Sequence, residues 1–221
     1  MYKDIKEDIP VTPKSINISL FGNKLKVGII GAGKGALIKV RTFLDKQCNV
    51  EVLALDFIEA FKELEDENVK LIQGTYNRGF INDKHIIIIA IDDKEVVNEI
   101  IKDCDSLSKI YINSTSFKEG GGVIPVTKES ATMTICVNTK LGNPKASVFM
   151  ANKILDFISE YDDLIKFTSD IRNNINIDKI VKEELINFIN TEDFEFCYKK
   201  DKHIQVLRLF YNYEILQKII S

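Results

Sequence analysis

Gly31-Ala32-Gly33-Lys34-Gly35-Ala36 and the carboxylate of Asp56 have the types and spacing needed to hold a dinucleotide. The run follows the G-x-G-x-x-G/A pattern. Its first glycine permits a tight turn, the second lets a pyrophosphate approach the backbone, and the small sixth residue lets the following helix pack close to a strand. The phosphates then rest on amide groups and on the positive dipole end of that helix. Asp56 lies about 20 residues beyond Ala36, where a carboxylate accepts hydrogen bonds from an adenosine ribose and favours NAD over NADP. The cofactor expected from these residues is NAD.

The elements that must position this chemistry are legible around it. Leu25 to Ile30 is a short apolar run rich in β-branched residues, expected as a strand buried on both faces. Leu37, Val40, Arg41 and Leu44 fall at helical spacing, and Val50 to Leu55 reads as the second strand. The alternation continues with a helix over Phe57 to Glu67, where Ile58, Phe61 and Leu64 are spaced for one face, and a strand over Val69 to Gln73. Gly74 to Asn82 is rich in turn residues and leads into His85 to Ile91, the most apolar run, expected as a central parallel strand with His85 at its entry. Asp92 and Asp93 follow at the strand's carboxyl end, where open α/β sheets bind ligands and where an Asp also caps a helix. A helix near 94 to 105 and a strand from Lys109 to Asn113 close a five-strand unit. Residues 1 to 24 carry Pro10 and Pro13 before Ile16 to Phe21, which reads as a lead-in supporting the first strand, as an edge strand.

The composition excludes several function classes. A net charge of −3 over 221 residues argues against a generally nucleic-acid-seeking surface. The four cysteines, at 48, 104, 136 and 197, form no C-x-x-C pair, so neither a zinc knuckle nor a disulfide framework is expected. No apolar run reaches the roughly 18 residues a membrane span requires, and the opening MYKDIKEDIPVTPK has charges where a signal peptide needs an apolar core. The expected setting is cytoplasmic.

Beyond residue 113 the alternation breaks, and the ordered stretches VGIIGAGKGALIKVRTFL, VEVLALDFIEAF, LIQGTYNRGFIND, IIIIAIDDKEVVNEI, KIYIN, GGVIP and TKLGNPKASVFMANKI resemble the precorrin-2 dehydrogenase and siroheme synthase family. Members of that family convert precorrin-2 to sirohydrochlorin with NAD, and some also insert iron. The resemblance implies an α/β chain in three parts: a Rossmann-like NAD domain with a parallel sheet over 1–113, a dimerising β segment over 114–145, and a helical region over 146–221. In the last, Val148, Ala151, Ile154, Leu155 and Ile158 form an apolar stripe. It also implies a homodimer. The cofactor positions it carries over are Gly31, Gly33, Lys34, Gly35, Leu55, Asp56, Ala90 and Asp92.

A polycarboxylate tetrapyrrole needs cations and hydrogen-bond donors around it. Lys118 and Lys140 are the candidate substrate-binding residues, within a wider set of Lys128, Lys145, Lys34, Lys39 and Arg41. Because charged residues make up 29% of the chain, any one of these lysines taken alone reads as surface.

Two departures from the family pattern bear on chemistry. Where the family's fifth strand runs into a catalytic Asp, this chain reads NSTSFKEGGGVIP, with Thr115 or Ser116 at that place. A hydroxyl of ordinary acidity is no general base near pH 7. The candidates are therefore Glu119 as a substitute, a neighbouring Asp, or proton loss to water, with Thr115 and Ser116 retained as catalytic positions; loss of activity is the remaining possibility. The second departure is Thr139 in NTKLGNP, at a position usually occupied by Ser. Neither the missing Asp nor the isolated His203 offers a metal-handling group, so no metal site is expected. Two readings stand: an NAD-dependent dehydrogenase of the tetrapyrrole pathway, and a non-catalytic NAD-binding dimer that senses NAD or passes tetrapyrrole to a partner. The segment 162–221 reads as helical and partly amphipathic, either a docking surface or core.

Overall fold

Four consecutive isoleucines, Ile86–Ile89, form the strand around which the first unit is built, and all four are buried. Successive strand side chains point to opposite faces. Ile86 and Ile88 accordingly join one apolar layer with Val27, Ile29, Leu37, Val40 and Val52, while Ile87 and Ile89 join another with Ile81, Val97, Ile100 and Cys104. A strand covered on both faces cannot alternate apolar with polar residues, which is why the run is continuous.

The computed structural model describes residues 14–64 and 66–220, and Pro10 and Pro13 of the lead-in lie outside them. The chain divides into two compact units, Met1–Ile124 and Pro125–Ser221. In the first, β1 (Lys26–Ile30), β2 (Asn49–Ala54), β3 (Val69–Gln73), β4 (Ile86–Ile89) and β5 (Ile110–Asn113) form a parallel sheet in the order β3-β2-β1-β4-β5. Helix α1 (Lys34–Leu44) follows β1 and buries Ala36, Leu37 and Val40 in the first layer. Helix α2 (Lys94–Ser106) follows β4 and buries Val97, Ile100 and Cys104 in the second. The direction of winding reverses between β1 and β4, the place in such sheets where ligands bind.

Two expectations fail here. In place of the helix expected over Phe57–Glu67, the described residues of this stretch form only a 3-10 turn at Glu59–Phe61. Ile58, Phe61 and Leu64 recur every three residues, a spacing that serves a three-residue turn as well as an α-helix. Phe61 is held fully buried by the sheet and edge-on to Phe57, at 5.5 Å between ring centroids. Ile16–Phe21 is not an edge strand either. It carries no strand pairing, Ile16 and Phe21 are exposed, and a 3-10 turn at Gly22–Lys24 separates it from β1. His85 does sit at a strand entry: its Nδ1 accepts from the Lys26 amide at 2.9 Å, just before β4.

In the second unit, β6 (Val126–Glu129) and β7 (Thr134–Val137) form an antiparallel hairpin that packs on α3 (Pro144–Ser159). Helices α4 (Asp162–Asn174), α5 (Lys179–Ile189), α6 (Glu192–Lys199), α7 (His203–Phe210) and α8 (Tyr213–Ile220) follow, around Ile171, Leu185, Ile189, Phe194 and Leu207. Side-chain caps start several of them. Asn143 accepts from the Ala146 amide at 3.0 Å, Asp178 from Ile180 at 2.9 Å and Thr191 from Phe194 at 3.2 Å. Asp162, at the start of α4, accepts from Ser130 Oγ at 2.7 Å and the Ala131 and Thr132 amides, tying the hairpin turn to the helix. The expected stripe on α3 is corrected at one place. Ala151 is fully buried and Ile154, Leu155 and Ile158 are partly so, but Val148 is exposed because close packing runs through the small Ser147 and Ala151.

Candidate dinucleotide site

The site is built where β1 ends. Gly31 takes φ +107, and its amide donates to Leu53 O on β2 at 2.8 Å, so the turn is anchored to the neighbouring strand. A side chain there is excluded, since a Cβ would lie 2.3 Å from Ala90 O in a left-handed backbone that L residues rarely adopt. Gly31 and Ala90 thus meet across the gap between β1 and β4.

Gly33 is the N-cap of α1 and makes no side-chain cap, leaving the first-turn amides of Lys34, Gly35 and Ala36 to other acceptors. The first intrahelical bond, from Leu37 N to Gly33 O, is 3.1 Å. Added Cβ atoms at Gly33 or Gly35 would meet nothing within 4 Å. Open space in front of unclaimed amides at a helix N-terminus fits a pyrophosphate, whose charge the amides and helix dipole would neutralise. Lys34 is exposed on the same turn. Lys39, half-buried one turn later, has its ammonium pushed below its usual value by burial.

The remaining expected cofactor residues lie along the same sheet edge. Leu55 and Asp56 follow β2 and are exposed; Ala90 and Asp92 follow β4. The helix cap belongs to Asp93, whose Oδ1 accepts from Glu95 N at 3.0 Å and Val96 N at 3.2 Å, so Asp92 takes no part in it. Gln73, at the end of β3, was not anticipated. Its Nε2 donates to Leu55 O at 2.9 Å and so fixes the peptide that carries Asp56, a contact between strands with no local sequence signal.

The expected catalytic residues follow β5, beside β4. Thr115 and Ser116 both fold onto Asn113, which the sequence reading also passed over. Asn113 Oδ1 accepts from Thr115 N at 3.0 Å, Thr115 Oγ1 at 2.9 Å and Ser116 N at 3.1 Å. Glu119 ends a 3-10 turn, and its Oε2 accepts from Asn113 Nδ2 at 3.3 Å. A strand-ending Asn before Ser-Thr-Ser is a turn signal that could have drawn attention to it. Lys118 is exposed on the same turn. Lys140 belongs to the second unit, in an exposed turn where Gly142 N donates to Thr139 O at 3.0 Å. Thr139 holds that turn: its Oγ1 accepts from Asn143 N at 2.6 Å.

The four cysteines are free thiols, and Cys104 is raised to about 12, chiefly by burial, with Asp103 adding to it. Among the described residues no helix is long and apolar enough to cross a membrane.

Comparison with known proteins agrees with this geometry. The profile of a putative NAD(P)-binding family matches residues 19–125. Siroheme synthase 2 of Pectobacterium atrosepticum is 23% identical over 152 residues, covering 67% of this chain and 33% of its own. Siroheme synthase of Tolumonas auensis is 32% identical over 91 residues, covering 41% and 19%. The chain therefore spans a third or less of the length of these curated relatives. The solved structure of SirC, a precorrin-2 dehydrogenase, has the same fold, with a TM-score of 0.67 over 93% of this chain and 99% of that one at 18% identity. Residues 19–125 thus match a putative NAD(P)-binding family, and the chain is similar in sequence to siroheme synthases and in fold to a precorrin-2 dehydrogenase.

Proposed function

We propose that the protein oxidises precorrin-2 to sirohydrochlorin with NAD in siroheme biosynthesis, acting as a homodimer. The observation that carries this reading is the glycine turn opening onto uncapped α1 amides in a chain whose curated relatives are siroheme synthases. In the reaction a C–H bond of the tetrapyrrole breaks and its hydrogen leaves with both electrons to the nicotinamide. A second hydrogen leaves as a proton to a base or to water, giving sirohydrochlorin, NADH and H⁺. Bound NAD supplies the hydride acceptor.

The chain's own residues bind, orient and receive the proton. Gly31, Gly33, Lys34 and Gly35 hold the pyrophosphate, and Asp56 with Leu55 holds the adenosine ribose and selects NAD over NADP. Ala90 and Asp92 border the nicotinamide side. Lys118 and Lys140 are proposed for substrate carboxylates. Glu119 is the proposed base, because Thr115 donates its hydroxyl to Asn113 and Ser116 has no acidity suited to the task.

A second reading, a non-catalytic NAD-binding dimer that senses NAD or hands tetrapyrrole onward, is favoured by one observation: no carboxylate stands at 115 or 116. The two separate in an anaerobic assay of NADH formation with precorrin-2 supplied. The expected result is NADH formation, with turnover in Glu119→Gln reduced by about 10²- to 10⁴-fold, the usual contribution of a positioned base. NAD binding by the wild-type chain without NADH formation would establish the second reading instead.

A further inference from the structure

Asn113 is 2% exposed, and a buried amide without partners is costly, so its contacts define what it does. Its oxygen takes the Thr115 and Ser116 amides and the Thr115 hydroxyl; its nitrogen reaches Glu119 Oε2. The first set is a turn at the end of β5. The contact with Glu119 is something the turn does not require.

We infer that Asn113 is a positioning residue that holds the Glu119 carboxylate at the carboxyl edge of the sheet, an inference that rests on the reading of Glu119 as the base. An Asp forms such turns as well as an Asn does, since the turn uses only the side-chain acceptor. What Asn adds is an N–H donor on a buried side chain, aimed at a carboxylate on an exposed turn. One oxygen of Glu119 is thereby fixed on a group anchored in the sheet while the carboxylate remains accessible to a substrate. The anchor is one strand away from β4, so the base is placed by the same sheet that places the cofactor turn.

Asn113→Asp isolates this contact. It keeps the acceptor for the turn and sets a second carboxylate against Glu119 in place of the donor. Like charges at such separation favour protonation of one of the pair. The assay is anaerobic NADH formation from precorrin-2 across pH, in the wild-type, Asn113→Asp, Glu119→Gln and doubly substituted chains, with NAD titration on each to show that the cofactor site is folded. The expected result is that Asn113→Asp lowers kcat about 10- to 100-fold, within the range a positioned base contributes. The acid limb of its kcat/KM profile moves to higher pH, and NAD affinity stays within about twofold. On the Glu119→Gln background the same substitution adds less than about twofold, because a residue acting through Glu119 has nothing left to act on.

An unmoved acid limb, or equal losses on both backgrounds, overturns the inference. So does a Glu119→Gln chain as active as wild type, which leaves the dehydrogenase reading intact. A wild-type chain that binds NAD and forms no NADH removes both. Asn113→Ser, whose hydroxyl still caps the turn but is too short to reach Glu119, is the second variant should Asn113→Asp not fold. Its kcat loss is likewise absorbed by the Glu119→Gln background, and additive losses overturn the inference.

Discussion

At His203 the ring packs against Tyr198 and Phe167, with centroids 4.5 and 5.2 Å away, and its buried Nδ1 has no hydrogen-bond partner. Burial pushes the imidazole below its ordinary 6.5. Asp201 acts in the opposite direction, but its side chain is 98% exposed and 4.0 Å away, so solvent screens it. The folded state therefore favours neutral His203, and the stability this contributes is present above pH 6.5 and lost as pH falls below it. Asp162, held below its ordinary 3.8 by Thr132 and Ser130 donors, also contributes stability that is lost on acidification, but only in a lower window. Thermal unfolding at pH 7.5 and pH 5.5 separates the two: wild type loses melting temperature over this interval, and His203→Phe loses clearly less. Equal losses would show that the titration lies elsewhere. In the sequence His203 is simply isolated. Its aromatic surroundings come from α4 and α6 and exist only once the helices pack, so no local pattern announces them.

The glycines of the turn act through two different elements, and substitution distinguishes them. Gly31→Ala drives a Cβ into Ala90 O at a positive φ, so it attacks the β1–β4 pairing and is expected to unfold or severely destabilise the first unit. Gly33 has φ −83 and open space around it. Gly33→Val should leave the melting temperature within a few degrees and weaken NAD binding at least about tenfold, because its side chain occupies the approach to the α1 amides. Loss of fold in Gly33→Val, or full NAD affinity, would contradict this account. Such local elements were legible: strand, glycine turn, helix and strand follow from periodicity and from residue types that admit few conformations. The segment after Asp56 was not, since a three-residue spacing is shared by two helix types and burial of Phe61 decided between them. Nor were Asn113 and Gln73, because each acts on a residue brought near by folding, Glu119 in one case and Leu55 in the other. The strand, turn and helix were thus readable from local grammar, and the contacts of Asn113 and Gln73 were not.

For the whole molecule, the break in β-α alternation after residue 113 is where a segment serving assembly is expected, and the second unit exposes apolar residues on α3. Phe149 and Phe157 are each 59% exposed on α3, with Val148 and Met150 at 43% beside Phe149. Single exposed apolar residues are ordinary. Several on one helix are less so, and exposed apolar surface of this kind is where interaction sites form. A standard interface covers about 800 Å² per partner, of which α3 would form one part. A homodimer at micromolar concentration is therefore expected in sedimentation. Phe149→Glu with Phe157→Glu should shift it to monomer, since two buried carboxylates would have to be desolvated without partners at the interface. Because both residues already face water in the single chain, the substitutions leave far-ultraviolet dichroism and NAD binding unchanged, which distinguishes a lost interface from a lost fold. A wild-type monomer under the same conditions would dismiss the dimer and with it any role for α3 in assembly. A dimer that persists in the doubly substituted chain would place the interface on some other surface.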